Sequence, residues 1–227
     1  MAIHYKERNS DIIVIIGQSN SGNNLLTNEY SESKNLNYFK KKCYLLSDPV
    51  LGATDSMNSI VPSLSSKLKN KKPIIFLTNG WGGTSVSNWS HPESLLTEYV
   101  RNNIADLIEN NNLKYIIWIQ GETDNRTNID YVKHFKQFRK NLFKNLNNKK
   151  LESVKFIITQ TSICNTDRDE ILNAQQKSLK KLKNTIITDV TDNLDGKYRY
   201  DGCHFNSRGA EKITDEISSI INVDFIE

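Results

Sequence analysis

The sequence predicts an α/β fold in which a parallel sheet is covered by helices on both faces. Short runs rich in Ile and Val recur along the chain, and longer amphipathic stretches separate them. In addition, the Gly-rich and polar segments directly follow the apolar runs. Open α/β sheets build their sites there, at the carboxyl ends of the strands.

Taken in order, the apolar runs lie at 11–17, 73–79, 114–119, 154–160 and 185–190. Each is too short for a typical helix, and its unbroken apolar character suits a strand buried on both faces. The amphipathic stretches lie at 57–70, 92–110, 129–146, 167–182 and 207–221 and read as helices. Within 129–146, Val132, Phe135, Phe138, Leu142 and Leu146 recur at three- and four-residue spacing, so one face is apolar and belongs to the core. Strands alternating with helices through right-handed crossovers give three layers, α/β/α. Residues 27–56 are the least regular; 43–46 offer an extra strand, and the excursion is expected to line one wall of the site.

A chain of 227 residues fits one domain, read as 1–227. Hydrophobic residues at 37% and charged residues at 25% exclude the disordered class. The formal charge of +4 sits in clusters such as Lys40-Lys41-Lys42 and Lys180-Lys181. These lack interleaved aromatics, so they read as solvated faces and nucleic acid is not an expected partner. Cys43, Cys164 and Cys203 are widely spaced and odd in number, which suits neither a disulfide framework nor a metal site and points to a reducing compartment. The polar start and the absence of any run near the roughly 20 apolar residues of a membrane span lead to the expectation of a cytoplasmic chain with no membrane partner.

Ser19 directly follows the first predicted strand, where a tight turn into a helix would present its hydroxyl at the sheet edge. That serine fits a nucleophile and a helix N-cap equally well. His204 is the candidate base, and Asp201, three residues earlier in a Gly-containing loop, is placed to orient its ring. An aspartate capping the last helix is the competing reading. His4, His91 and His134 lie in poorer settings: a polar terminus, a position before proline, and a helix. Gly82 and Gly83 allow backbone N–H groups to approach a developing oxyanion. Gln120 offers a side-chain amide to it, and Glu122 a carboxylate that braces the site. Asn20 and Trp81 flank the expected oxyanion position and are candidate substrate contacts. Arg199 and Tyr200 lead into the His204 loop, with packing the better reading for Tyr200.

Four separated blocks carry a family resemblance. Gly17-Gln18-Ser19-Asn20, Gly82-Gly83-Thr84-Ser85-Val86 with Trp89, Gln120-Gly121-Glu122-Thr123-Asp124 and Asp201-Gly202-Cys203-His204-Phe205 are similar to the blocks of the SGNH hydrolases. Their form resembles the carbohydrate-esterase branch, the sialate O-acetylesterase-like and acetylxylan-esterase-like proteins, and Ala174-Gln175-Gln176 resembles a helix found there. The resemblance implies a flavodoxin-like domain with a five-stranded parallel sheet, no metal and no organic cofactor. It also implies release of short acyl groups, typically acetyl, from small-molecule or glycan esters. By matching position it makes Ser19 the nucleophile, His204 the base and Asp201 its orienter. The Ser19 and Gly82 N–H groups would be oxyanion donors. Thr123 stands where the wider superfamily has an Asn, and the missing donor falls to Gln120. Acyl transfer to a sugar hydroxyl through the same acyl-enzyme is an alternative outcome. A flavodoxin-like binding module without chemistry is another, with residues 19–23 as a loose phosphate loop. Metal-dependent hydrolysis ranks last, for want of an HExxH or paired Cys/His pattern.

Overall fold

The computed structural model describes residues 2–3, 9–27, 33–146 and 148–225. Strands run in chain order as β1 (Ala2–Ile3), β2 (Asp11–Gly17), β3 (Leu36–Phe39), β4 (Lys42–Leu45), β5 (Ile75–Gly80), β6 (Asn112–Ile119), β7 (Lys155–Gln160) and β8 (Thr185–Val190). The helices are α1 (Ile60–Lys67), α2 (Val86–Ser90), α3 (Leu95–Leu107), α4 (Tyr131–Leu142), α5 (Asn148–Leu151), α6 (Glu170–Ser178) and α7 (Ser207–Asn222). All five predicted strands and all five predicted helices are present; the first four helices are shorter than their amphipathic stretches and the last runs one residue beyond its own.

The sheet order is β1-β4-β3-β5-β2-β6-β7-β8. β3, β5, β2, β6, β7 and β8 are mutually parallel, whereas β4 pairs antiparallel with β3 and β1 with β4. The sheet is therefore wider than the expected five strands. The extra width comes from β1 near the start of the chain and from the irregular excursion, which supplies β3 and β4 joined by Lys40 and Lys41, both at positive φ. Strand β3 had no signal of its own, because four residues leave too little room for a periodicity.

Strand alternation sorts β2 between two cores. Ile12, Val14 and Ile16 face a cluster with Val100 and Ile104 of α3, Phe135 and Phe138 of α4 and Leu172 of α6. Ile13 and Ile15 face the other cluster, with Val61 and Leu64 of α1 and Ile213 and Ile217 of α7. Each face is thus dry, the physical condition for a parallel sheet. Phe135, Phe138 and Leu142 are fully buried as their spacing predicts. Trp118 stacks on Phe138 with centroids 4.5 Å apart and meets Trp89 edge-on. Among the described residues, no helix is long and apolar enough to cross a membrane.

This topology decides where a site can form. From β2 the sheet grows to β5 on one side and to β6 on the other, so the end of β2 is where the winding reverses. A crevice opens at such a switch point. The loops after β2, β5 and β6 all empty into it.

Candidate active site

Strand β2 ends at Gly17, whose φ of +142° would put any side chain into the Ile119 carbonyl of β6. This glycine lets the chain turn sharply into a three-residue 3-10 turn, Ser19–Ser21, rather than into the expected helix. Ser19 is buried at 7% exposure, and its Oγ has no hydrogen-bond partner among the described residues. The residue in the cap position is Gln18, without a side-chain cap bond, so the N-cap reading of Ser19 fails. A turn this short also lacks a helix whose first N–H groups would cradle a phosphate.

The loop between β8 and α7 holds the second half. His204 Nδ1 lies 2.7 Å from Asp201 Oδ2, and Asp201 Oδ1 accepts the N–H groups of His204 and Cys203 at 2.7 and 2.9 Å. Asn206 caps α7, which removes the capping reading of Asp201. Burial by itself would raise the Asp201 carboxyl. The bonds from the His204 ring and the two backbone N–H groups outweigh it and hold the group below the ordinary carboxylate range. Tyr200 stacks over His204 with centroids 5.9 Å apart and reaches Met57 Sδ at 3.6 Å. Burial raises the Tyr200 hydroxyl, helped by the nearby charges of Asp201 and Asp55.

Asn20 joins the two halves. Its Nδ2 donates to Cys203 O at 3.2 Å and its Oδ1 accepts Phe205 N at 3.2 Å, so it grips both neighbours of His204 while adjoining Ser19. The same Nδ2 donates to Glu122 Oε1 at 2.6 Å. Glu122 is fully enclosed and its Oε2 has no partner among the described residues. Burial raises its carboxyl above the ordinary range, against the hydrogen bond from Asn20 and the positive field of Arg199. Asn20 and Glu122 are therefore internal supports of the loops; the substrate contact expected for Asn20 is corrected, because its amide is spent on protein.

Arg199 grips the His204 loop from beneath. It donates to Cys203 O, to Leu194 O at 3.1 Å and to Thr191 O at 3.2 Å, and its guanidinium lies 4.5 Å from the Phe205 ring centroid. Asp192, 3.9 Å from Arg199, accepts Ser162 N and Ile163 N and so fastens the loop after β7 to the same support. Cys164 of that loop is disulfide-bonded to Cys203. This corrects the reading of three unpaired cysteines. The partners are 39 residues apart in sequence and meet only because both loops reach the same sheet edge. Cys43 alone is free, and the argument for a reducing compartment loses its premise.

The Gly-rich loop after β5 forms the opposite wall. A methyl group placed on Gly82 would stand 3.9 Å from Ser19 Cβ, so this backbone borders Ser19. The Gly82 N–H donates to Thr54 Oγ1 at 3.0 Å. Gly83, at φ +71°, faces open space. Trp81 is half-buried, stacked on Trp89 with centroids 5.4 Å apart and edge-on to Tyr99, so most of its ring packs against the core.

Gln120 departs from its expected role. It is fully buried, and its Nε2 donates to Asp124 Oδ2 at 2.6 Å and to Thr84 O at 3.1 Å, while Oε1 accepts the Tyr131 hydroxyl at 2.8 Å. An amide nitrogen has two hydrogens, and both are engaged. Gln120 locks the Gly-rich loop to the loop after β6 instead of facing Ser19. Asp124, quoted in its block but given no role, completes this lock by accepting Val86 N of α2 at 2.8 Å.

Sequence reasoning missed Thr54, Asp55 and Asn24, all from segments without a motif. Asn24 Nδ2 donates to Ser19 O at 3.3 Å and to Asp55 Oδ2 at 2.8 Å. For Thr54 and Asp55 the available signal was the polar character of the excursion, and for Asn24 its place just after the Ser19 block. Of the other histidines, His134 pairs through Nδ1 with Ser90 Oγ at 2.7 Å and His91 follows α2, both within elements outside the loop cluster; His4 lies outside the described residues. Among the described residues no three His, Cys, Asp or Glu side chains converge to hold a metal ion.

The model of one protein family, described as carbohydrate esterase, sialic acid-specific acetylesterase, matches residues 9–221. Among solved structures, a protein from Arabidopsis thaliana superposes with a TM-score of 0.74 at 16% identity, over 94% of this chain and 98% of that one. Est24, a carbohydrate acetylesterase from Sinorhizobium meliloti, gives 0.49 at 11% identity, over 93% and 99%. No curated protein sequence matches.

Proposed function

The chain belongs to the carbohydrate esterase family of sialic acid-specific acetylesterases, and on that premise we propose a serine mechanism for its hydrolysis of acetyl esters. In this mechanism Ser19 Oγ attacks the acetyl carbonyl while His204 Nε2 takes its proton. The C–O bond to the sugar then breaks, and the imidazolium returns that proton to the leaving hydroxyl. Water, deprotonated by the same nitrogen, releases acetate from the acyl-serine and restores the starting state. Asp201 holds the tautomer in which Nδ1 carries hydrogen and stabilises the transient imidazolium.

The observation that carries the reading is the oriented Asp201–His204 pair at 2.7 Å, with the loop around it tied through Asn20 to the turn that presents an unbonded Ser19 hydroxyl. For the oxyanion we assign the backbone N–H groups of Ser19 and Gly82, the latter exchanging its Thr54 acceptor for the substrate oxygen. Each such donor is worth about 3 kcal/mol in a transition state. Gln120 serves as the brace between loops.

The test is acetate release from p-nitrophenyl acetate and from O-acetylated sugars by the wild type and by Ser19→Ala. The mechanism requires the variant to fall to background while keeping the wild-type melting temperature. A variant with undiminished turnover removes Ser19 from the chemistry.

A further inference from the structure

The excursion before α1 delivers a carboxylate to the mouth of the site that the mechanism does not use. Asp55 is exposed and sits at φ +70°, in the left-handed region that non-glycine residues seldom occupy and aspartate tolerates better than most. Its backbone is pinned there: Thr54 N donates to Gly80 O at 2.9 Å, and Asn23 Nδ2 donates to Asp55 O at 3.3 Å. Its side chain is aimed by Asn24, whose Nδ2 bonds both Ser19 O and Asp55 Oδ2. A methyl group on Gly82 would lie 3.8 Å from that Oδ2 and 3.9 Å from Ser19 Cβ, so carboxylate and nucleophile border the same space. Among the described residues no lysine or arginine pairs with Asp55, and its Oδ1 has no hydrogen-bond donor.

A carboxylate in that position opposes a developing oxyanion unless the substrate brings donors to it. An ionised carboxyl only accepts, and hydroxyl groups bind it through charge-assisted bonds stronger than neutral ones. A substrate carrying its own carboxylate would add like-charge repulsion. We propose that Asp55 is a specificity-determining residue that makes this member of the family select uncharged sugar acetates with a free hydroxyl beside the ester over anionic ones, the sialic acids of the family's description included. This inference rests on the serine esterase reading above.

The experiment compares kcat/KM of the wild type and Asp55→Asn toward three probes: methyl 6-O-acetyl-glucoside, an O-acetylated methyl glucuronoside, and p-nitrophenyl acetate, which has no donor. Asparagine is isosteric, tolerates positive φ and keeps a partner for Asn24, so the fold is retained. In the variant the glucoside rate relative to p-nitrophenyl acetate should fall by about tenfold, and the glucuronoside rate relative to the glucoside should rise by a similar factor. A Ser19-dependent enzyme in which both ratios stay within about twofold overturns the role of Asp55 alone. Activity that does not depend on Ser19 overturns the esterase mechanism and this inference with it.

Discussion

Replacing Asn20 by Ala tests the link between the nucleophile turn and the histidine loop. The substitution deletes the bonds to Glu122 Oε1, Cys203 O and Phe205 N. Cys203 O keeps Arg199 as a donor, so the loss there is small. Phe205 N and the Glu122 carboxyl, whose Oε2 already lacks a partner, are left buried without one. Each stranded group costs about 1–3 kcal/mol, so the expected loss of stability is about 2–6 kcal/mol. At about 2–4 °C per kcal/mol for a chain of this size, the melting temperature should drop by about 4–24 °C. His204 lies between the two gripped residues, and a shift of its loop by about 1 Å can lower turnover by about a hundredfold. A thermal melt by circular dichroism and a p-nitrophenyl acetate assay read the two effects separately. Asn20→Asp refines the test: it keeps the acceptor for Phe205 N but sets a second carboxyl against Glu122, so it should recover toward acid pH, where one proton is shared. An Asn20→Ala protein that melts within about 2 °C of the wild type and turns over at an equal rate refutes the argument.

Asp201→Asn should lower kcat by about a thousandfold or more, because it favours the wrong histidine tautomer, and should also lower the melting temperature at neutral pH, because the charge that strengthens the bonds within the His204 loop is gone. The wild-type carboxyl titrates below its ordinary value of 3.8, so its contribution to stability is full above that value and is lost as pH falls through the depressed one. Acid titration of both proteins checks this, with the difference between them expected to shrink only below about pH 4. Glu122 has the opposite sign. Its carboxyl is raised, so the native state holds a proton longer than the unfolded chain, and stability should decline as pH climbs from 4.5 toward the raised value. Glu122→Gln should remove that decline in denaturant titrations across pH. Reduction of Cys164–Cys203, or Cys164→Ser, should destabilise by about 2–4 kcal/mol and lower turnover. Cys203 also donates its N–H to Asp201, so the cross-link and the histidine loop move together. Melts with and without dithiothreitol measure it.

The pattern of the central strands β2, β5, β6 and β7 was legible because each is buried on both faces and its composition says so without reference to any other part of the chain. Helix α4 was legible because Phe135, Phe138 and Leu142 share one face at a spacing only a helix gives. Strand β3 was not, since its burial comes from partners on either side rather than from a pattern within it. Ser19, Asp201 and His204 stood out as reactive groups in loops placed after strands or before a helix. Gln120 illustrates the limit: residue type and motif position are the same for a donor facing substrate and for a brace with both hydrogens engaged, and only its neighbours tell them apart.

The sequence by itself determined the layered α/β architecture, the order of its principal elements and which reactive groups stand in the loops after its strands, because burial pattern and functional group are properties each segment carries alone. Only the tertiary structure decided the pairing of Cys164 with Cys203, the engagement of both Gln120 amide hydrogens between loops, and the arrival of Asn24, Thr54 and Asp55 beside Ser19 and Gly82. Those outcomes depend on contacts between distant segments, and no local pattern encodes which groups will meet once the sheet has closed the distance.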